Sequence, residues 1–279
     1  MKAGIAACSN GKIKEWAHQV DEMVEILNGF GVETALADHI IAVKDEFSGT
    51  DEERARDLMR FYLDDSVDVI YDISGGDLSN GVLKYLDFDV IKKSNKTFWG
   101  YSDLTAVINA IYKITGKPSV LYQVENMVFP EGPLQQERFK AYLNGDKAPL
   151  FDVKYELLQG KAMNGVLVGG NIRCLLKLAG TKYWPDMEGK VLFIESFGGE
   201  SGLMATSLTH LEHLGVFEKV NGVILGTFTN YEKANLEYSV YDLLKMHIDD
   251  KLPVAMTREV GHGYDSKAIV IGREITLQK

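Results

Sequence analysis

The stretch Phe98-Trp99-Gly100-Tyr101-Ser102-Asp103-Leu104 decides the fold. Residues 97–101 read as a short strand that runs directly into a helix over about 103–115, with Leu104, Val107, Ile108, Ile111 and Ile114 along one side. A strand feeding a helix through one polar corner is the repeating unit of a doubly wound α/β sheet. Ser102 thereby falls at the carboxyl end of a strand, where open α/β sheets hold ligands, and at the positive end of a helix dipole. Two readings of this serine stand side by side. Ser and Asp are ordinary helix N-caps. A serine at such a corner is also placed as a nucleophile, with the Asp103 backbone N–H suited to an oxyanion hole.

The same alternation extends outward. Residues 3–8 read as a buried strand, 13–27 as a helix striped with Ile13, Trp16, Val20, Met23, Val24 and Leu27, and 32–36 as a strand. Thr50-Asp51-Glu52-Glu53 is a capping box opening a helix to about Leu63. An apolar strand over 67–73 ends at Ser74-Gly75-Gly76, and 119–122 give one more strand. Residues 1–125 are therefore expected to form an α/β domain, a doubly wound, mainly parallel sheet with helices on both faces. Residues 126–164 carry Pro130, Gly132, Pro133, Gly145 and Pro149 around one helix near 135–143, and read as an interdomain connection. Residues 165–279 alternate again, with strands at 190–195, 222–226, 253–256, 268–271 and 274–277, as a smaller mixed α/β domain.

Composition narrows the function. The 279 residues are 46% hydrophobic and 25% charged, the balance of a globular protein that can bury its own core. Thirty basic against forty acidic residues give a net charge of −10, which argues against broad nucleic-acid binding. It leaves room for a small anionic substrate held by a local cation. Two cysteines, Cys8 and Cys174, suit a reducing compartment rather than a disulfide framework. The apolar run at the start is too short for a signal peptide and none is long enough to span a membrane, so a cytoplasmic protein is expected.

Three further segments can carry chemistry. Ser74-Gly75-Gly76-Asp77-Leu78-Ser79-Asn80 follows a strand, and its glycines can turn N–H groups toward an oxyanion or carboxylate. It fits neither a Walker A loop nor a dinucleotide fingerprint, and a plain turn serves as well. Val191-Leu192-Phe193-Ile194-Glu195 ends an apolar strand in a carboxylate able to orient a histidine, with Glu200 the competing acid. Gly261-His262-Gly263 gives a histidine room in a loop. His18 and His247 belong to amphipathic helices and His39 to a polar connection. His210 and His213, three apart on one helix, lack the further ligands of a zinc motif. Ser, Glu and His in that chain order make a possible hydrolase triad.

Taken together, the segments resemble the LD-carboxypeptidase family of serine peptidases, which includes the microcin C self-immunity proteins. The matching residues are Ser74-Gly75-Gly76, Tyr85-Leu86-Asp87-Phe88-Asp89, Gly100-Tyr101-Ser102-Asp103-Leu104-Thr105-Ala106, Gly169-Gly170-Asn171, Trp184-Pro185-Asp186, Gly189 to Glu195 and Gly261-His262. The resemblance implies Ser102 as nucleophile, His262 as general base and Glu195 as its partner. It implies an oxyanion hole from backbone N–H groups of Asp103 and of Gly76 or Asp77, and substrate contacts from Gly75, Ser79, Asn171 and Arg173. No metal or other cofactor is implied. The expected reaction is amide cleavage beside a terminal carboxylate, such as D-Ala release from murein tetrapeptide, or, as in the immunity members, hydrolysis of an aminoacyl- or peptidyl-nucleotide. A homodimer is expected, with no nucleic-acid or membrane partner. A catalytically silent small-ligand binding protein on the same scaffold is the reading from another class. This chain departs from the common family pattern with Ser74 before the glycine pair, where many members have Arg.

Overall fold

A computed structural model describes all 279 residues. Its first half is strand β1 (Lys2–Ala6), helix α1 (Ala17–Gly29), β2 (Glu33–Leu36), α2 (Asp51–Leu63), β3 (Val69–Asp72), the short helices α3 (Ser79–Val82) and α4 (Phe88–Lys93), β4 (Thr97–Gly100), α5 (Thr105–Thr115) and β5 (Ser119–Leu121). The second half holds α6 (Gly132–Leu143), α7 (Ala148–Phe151), β6 (Glu156–Gln159), β7 (Ala162–Asn171), α8 (Ile172–Leu176), β8 (Val191–Ser196), α9 (Ser201–His213), β9 (Gly222–Phe228), α10 (Thr229–Lys233), α11 (Val240–Lys245), β10 (Val254–Met256), β11 (Ile269–Ile271) and β12 (Glu274–Gln278). The molecule is a two-domain α/β fold built on two six-stranded sheets, ordered β11-β5-β4-β3-β1-β2 and β12-β7-β8-β9-β10-β6.

Strands β1 to β5 pair in parallel, as strands joined by crossover helices do; β3 is fully buried, while β2 lies at the sheet edge with Glu33 and Leu36 exposed. In the second sheet β7, β8, β9 and β10 are parallel, while β12 and β6 close its edges antiparallel. Two features depart from the boundaries read in the sequence. Within 126–164, β6 pairs with β10 and so belongs to the second sheet. Within 165–279, β11 leaves that sheet and pairs antiparallel with β5. Residues 257–268 therefore cross from one sheet to the other.

Local chemistry explains the elements. Thr50 Oγ1 accepts from the Glu53 amide at 3.2 Å and Glu53 Oε2 from the Thr50 amide at 2.8 Å, closing the capping box of α2. Leu104, capping helix α5, and Val107, Ile108 and Ile111 within it are buried, but Ile114, in its last turn, is 39% exposed. Gly116, at φ +73, ends that helix in the left-handed conformation that glycine takes without steric penalty. Helix α1 starts four residues later than its apolar pattern suggests, because Ile13 is extended and residues 14–16 form one tight turn. On β4, Trp99 meets Tyr71, Tyr122 and Phe139 edge-on at 5.5 to 6.0 Å, so α6 is packed onto the first sheet rather than hanging as a linker.

The seam between the sheets carries paired polar groups within an apolar core that both sheets share. Buried Asn109 of α5 donates to the Gly169 carbonyl at 2.8 Å and accepts from the Gly169 amide at 2.9 Å. One turn earlier, Thr105 Oγ1 accepts from the Asn171 amide at 2.9 Å. A Cβ on Gly170 would collide with Thr105 Oγ1, so the glycine permits this approach. The amino end of α5 and the carboxyl end of β7 are thereby fixed side by side.

Candidate active site

Ser102 stands at the corner between β4 and α5 with φ +51, a left-handed conformation unusual for a residue with a Cβ. Gly100 permits the sharp corner, since a Cβ there would press on Leu104. The strain costs on the order of 1 kcal/mol and turns the serine side chain out of the sheet. Its Oγ lies 3.0 Å from His262 Nε2. His262 Nδ1 lies 2.6 Å from Glu195 Oε2, at the end of β8. With Nδ1 donating its proton to the carboxylate, Nε2 is left to accept from the serine hydroxyl.

Glu195 has no exposed surface, so its charge must be met by donors. Tyr101 OH donates to Oε2 at 3.0 Å and Asn171 Nδ2 to Oε1 at 3.1 Å. The Tyr101 hydroxyl is itself held well above the usual phenol range, first by burial and then by the Glu195 charge, and so keeps its proton to give. The His262 ring meets Tyr101 edge-on, centroids 4.8 Å apart, and packs tilted against Phe197 at 5.2 Å. Gly261 lets the loop approach β9, because a Cβ there would collide with Thr227 Oγ1. Glu200, the competing acid, is exposed at the start of α9.

The turn after β3 forms the facing wall. Gly76 has φ +117, and its amide finds no hydrogen-bond partner within the chain. The Asp77 amide is engaged, donating to Asn10 Oδ1 at 2.8 Å, which removes it as a free oxyanion donor and leaves Gly76. Ser79 is fully buried: its hydroxyl donates to the Asp103 carbonyl and its amide to Asp103 Oδ2. It braces the Ser102–Asp103 turn and does not face the cleft. The Asp103 carboxylate also accepts from Ser9 Oγ at 2.6 Å and from Lys177. Burial works to raise this carboxyl, but Lys177, Ser9 and the Ser79 amide outweigh it and hold it below the ordinary value.

Gly76, Ser102, Asn171, Arg173, Phe197 and His262 line one open cleft of about 420 Å³. Arg173, half-exposed, donates to Asp77 Oδ1 and to the Gly76 carbonyl. Gly75 faces a neighbouring cavity instead. His210 and His213 are exposed on the last turn of α9. Tyr101, Ser9, Asn10 and Lys177 were not among the site residues expected. For Ser9 and Asn10 a signal existed: the polar Ser9-Asn10-Gly11 turn follows the first strand, at the ligand-binding edge of the sheet.

A serine, histidine and carboxylate in hydrogen-bonded sequence at strand ends is the arrangement of serine hydrolases. The chain belongs to the LD-carboxypeptidase family: residues 3–122 match the LD-carboxypeptidase N-terminal domain and residues 164–277 its C-terminal domain. It is thus an LD-carboxypeptidase-like serine hydrolase. It is 28% identical over 274 residues to a putative carboxypeptidase, YocD, of Bacillus subtilis (85% of this chain, 80% of that one). It is 27% identical to a probable murein peptide carboxypeptidase of the same organism (93% and 84%). Among solved structures, the fold matches the microcin C7 self-immunity protein MccF in complex with aspartyl sulfamoyl adenosine at TM-score 0.89 and 21% identity (99% and 92%). It matches muramoyltetrapeptide carboxypeptidase from Oxalobacter formigenes at 0.83 and 23% (100% and 95%). No helix is long and apolar enough to cross a membrane.

Proposed function

We propose that the protein is a serine carboxypeptidase that cleaves an amide bond next to a terminal carboxylate, releasing D-alanine from a murein tetrapeptide. The observation that carries the reading is the line Ser102 Oγ, His262 Nε2, His262 Nδ1, Glu195 Oε2, with steps of 3.0 and 2.6 Å across the ring. The nucleophile comes from residues 1–125, the acid and base from 165–279.

His262 takes the Ser102 proton as Oγ attacks the amide carbonyl. Glu195 steadies the resulting imidazolium, held in turn by Tyr101 and Asn171. The tetrahedral oxyanion is met by the free Gly76 amide and the Asp103 amide, each worth on the order of 3 kcal/mol. His262 then protonates the leaving amine and the C–N bond breaks. Water attacks the acyl-serine ester, His262 accepts its proton and returns it to Oγ, and the shortened peptide leaves. Arg173 is the cation lining the cleft and serves the substrate carboxylate by exchanging it for Asp77. None of these steps calls for a metal or other cofactor. Cytoplasmic action and a homodimer belong to the same reading; the two buried free thiols fit a reducing compartment.

The test is D-alanine release from purified murein tetrapeptide, with an aminoacyl sulfamoyl-adenylate as the second substrate. We expect turnover of the tetrapeptide and a loss of roughly 10³-fold or more in Ser102→Ala. Turnover of the adenylate alone would move the substrate to the immunity type. Hydrolysis persisting in Ser102→Ala would remove the triad, and an effect on the cell without any turnover would make the protein a binder.

A further inference from the structure

The free Gly76 amide belongs to a Gly75-Gly76 pair, and two adjacent residues without a Cβ leave the peptide plane between them free to turn. Its direction must be imposed from outside. The Asn10 amide donates to the Gly75 carbonyl at 3.1 Å. In a trans peptide the carbonyl and the following N–H point opposite ways, so the Gly76 N–H faces away from the turn at Asn10. One peptide further on, Asn10 Oδ1 accepts from the Asp77 amide at 2.8 Å, while Arg173 Nη2 donates to the Gly76 carbonyl at 2.9 Å. The Asn10 side-chain amide also fills the place where a Cβ on Gly76 would stand. Asn10 therefore holds both peptides that flank Gly76, one from its main chain and one from its side chain.

Asn10 is itself anchored on both sides. The Ser9 amide donates to Ser74 Oγ at 2.8 Å, the Ser9 carbonyl accepts from buried Arg54 at 3.0 Å, and the Gly11 amide donates to the Glu46 carbonyl at 2.8 Å. Ser9 Oγ donates to Asp103 Oδ2 at 2.6 Å, so one turn grips the Asp103 corner and the Gly76 turn together. Asn10 lines the cavity behind Gly76 and not the cleft that holds Ser102 and His262. We infer that Asn10 is a positioning residue for the oxyanion, an inference that rests on the proposed hydrolysis: its side chain keeps the Gly76 N–H aimed into the cleft, where it serves the tetrahedral state rather than the binding of substrate. The task calls for a short neutral acceptor. An aspartate would accept the same bond but would set a negative charge behind the oxyanion.

The experiment uses the full chain with Asn10→Leu, which keeps the branching and bulk of the amide without its acceptor, and with Asn10→Ala. Three quantities are read: kcat for D-alanine release from murein tetrapeptide, the calorimetric affinity of the uncleaved tetrapeptide with Ser102→Ala added, and inhibition by the murein tripeptide bearing a boronic acid in place of its terminal carboxyl. Ser102 Oγ adds to the trigonal boron, its proton passes to His262, and the tetrahedral adduct places an oxygen where the oxyanion forms. We expect kcat and boronate affinity to fall together by about 10²-fold, as for loss of one oxyanion donor, with the affinity of the uncleaved tetrapeptide kept within about threefold. Boronate affinity unchanged in the variants, losses of equal size in all three quantities, or circular dichroism showing both variants unfolded overturns the assignment. Failure of the hydrolase reading shows instead in the parent, which would release no D-alanine and bind the boronate no better than its Ser102→Ala form, and the assignment would fall with it.

Discussion

Tyr101 and Glu195 are joined across the seam between the two sheets by a 3.0 Å hydrogen bond, phenol to carboxylate, with no water-exposed surface on the acid. The residue before Ser102 thus holds the carboxylate that meets His262 Nδ1. Tyr101→Phe removes a donor to a buried charge, an interaction worth roughly 1.5 to 3 kcal/mol. We expect kcat/KM to fall tenfold to a hundredfold with secondary structure intact, measured by D-alanine release and circular dichroism.

Glu195→Gln keeps the shape of the acid but removes its charge. The amide can present its nitrogen to His262 Nδ1, favouring the wrong tautomer and leaving Nε2 protonated toward Ser102. A fall in kcat on the order of 10⁴ is expected, with substrate affinity little changed. Affinity is checked by calorimetry, turnover by the peptide assay.

Ser102 adopts φ +51 at the cost of backbone strain. Ser102→Gly is expected to abolish hydrolysis and to relieve the strain, partly offset by the greater freedom of glycine in the unfolded chain. Urea unfolding should show the inactive variant as stable as the parent or more so, by up to about 1 kcal/mol. A clearly less stable variant would contradict strain at the corner.

Asp103 is depressed in the folded state, so the unfolded chain binds a proton there more readily. Its contribution is full above the unfolded value of about 4 and disappears as pH falls through the lower folded value. Asp103→Asn leaves Lys177 without its buried partner, a loss of about 2 to 3 kcal/mol at pH 7, moderated because Lys177 also reaches Asp77. Urea titrations at pH 7 and pH 3 should show the gap between variant and parent narrowing in acid.

Arg173→Ala removes the cation proposed for the substrate carboxylate. The kcat/KM for a peptide ending in free D-alanine should drop tenfold to a hundredfold. The D-alaninamide analogue, already poor, should change little. Equal losses on both would assign Arg173 to the shape of the Gly76–Asp77 turn instead.

The strand-to-helix corner at Ser102 was legible because local pattern alone sets it: an apolar strand, one glycine, a serine and an amphipathic helix. The acid and base were legible as strand-end and glycine-flanked residues, and the family resemblance singled them out from Glu200 and five other histidines. Tyr101 was hidden inside its own strand, where an aromatic residue needs no function to be explained. Ser79 and the Asp77 amide misled for the opposite reason, since a polar residue after a strand gives no sign of whether it faces ligand or braces a neighbour. The sheet that Ile269–Ile271 joins was also invisible, because three β-branched residues carry no record of their partner.

His262 rides on the segment that leaves the second sheet at β10 and enters the first at β11. A polypeptide made from its amino end acquires Ser102 early and Glu195 midway, while the loop bearing His262 is anchored on its far side only by β11. Under the proposed reaction, a chain lacking the last strands is expected to show no hydrolysis.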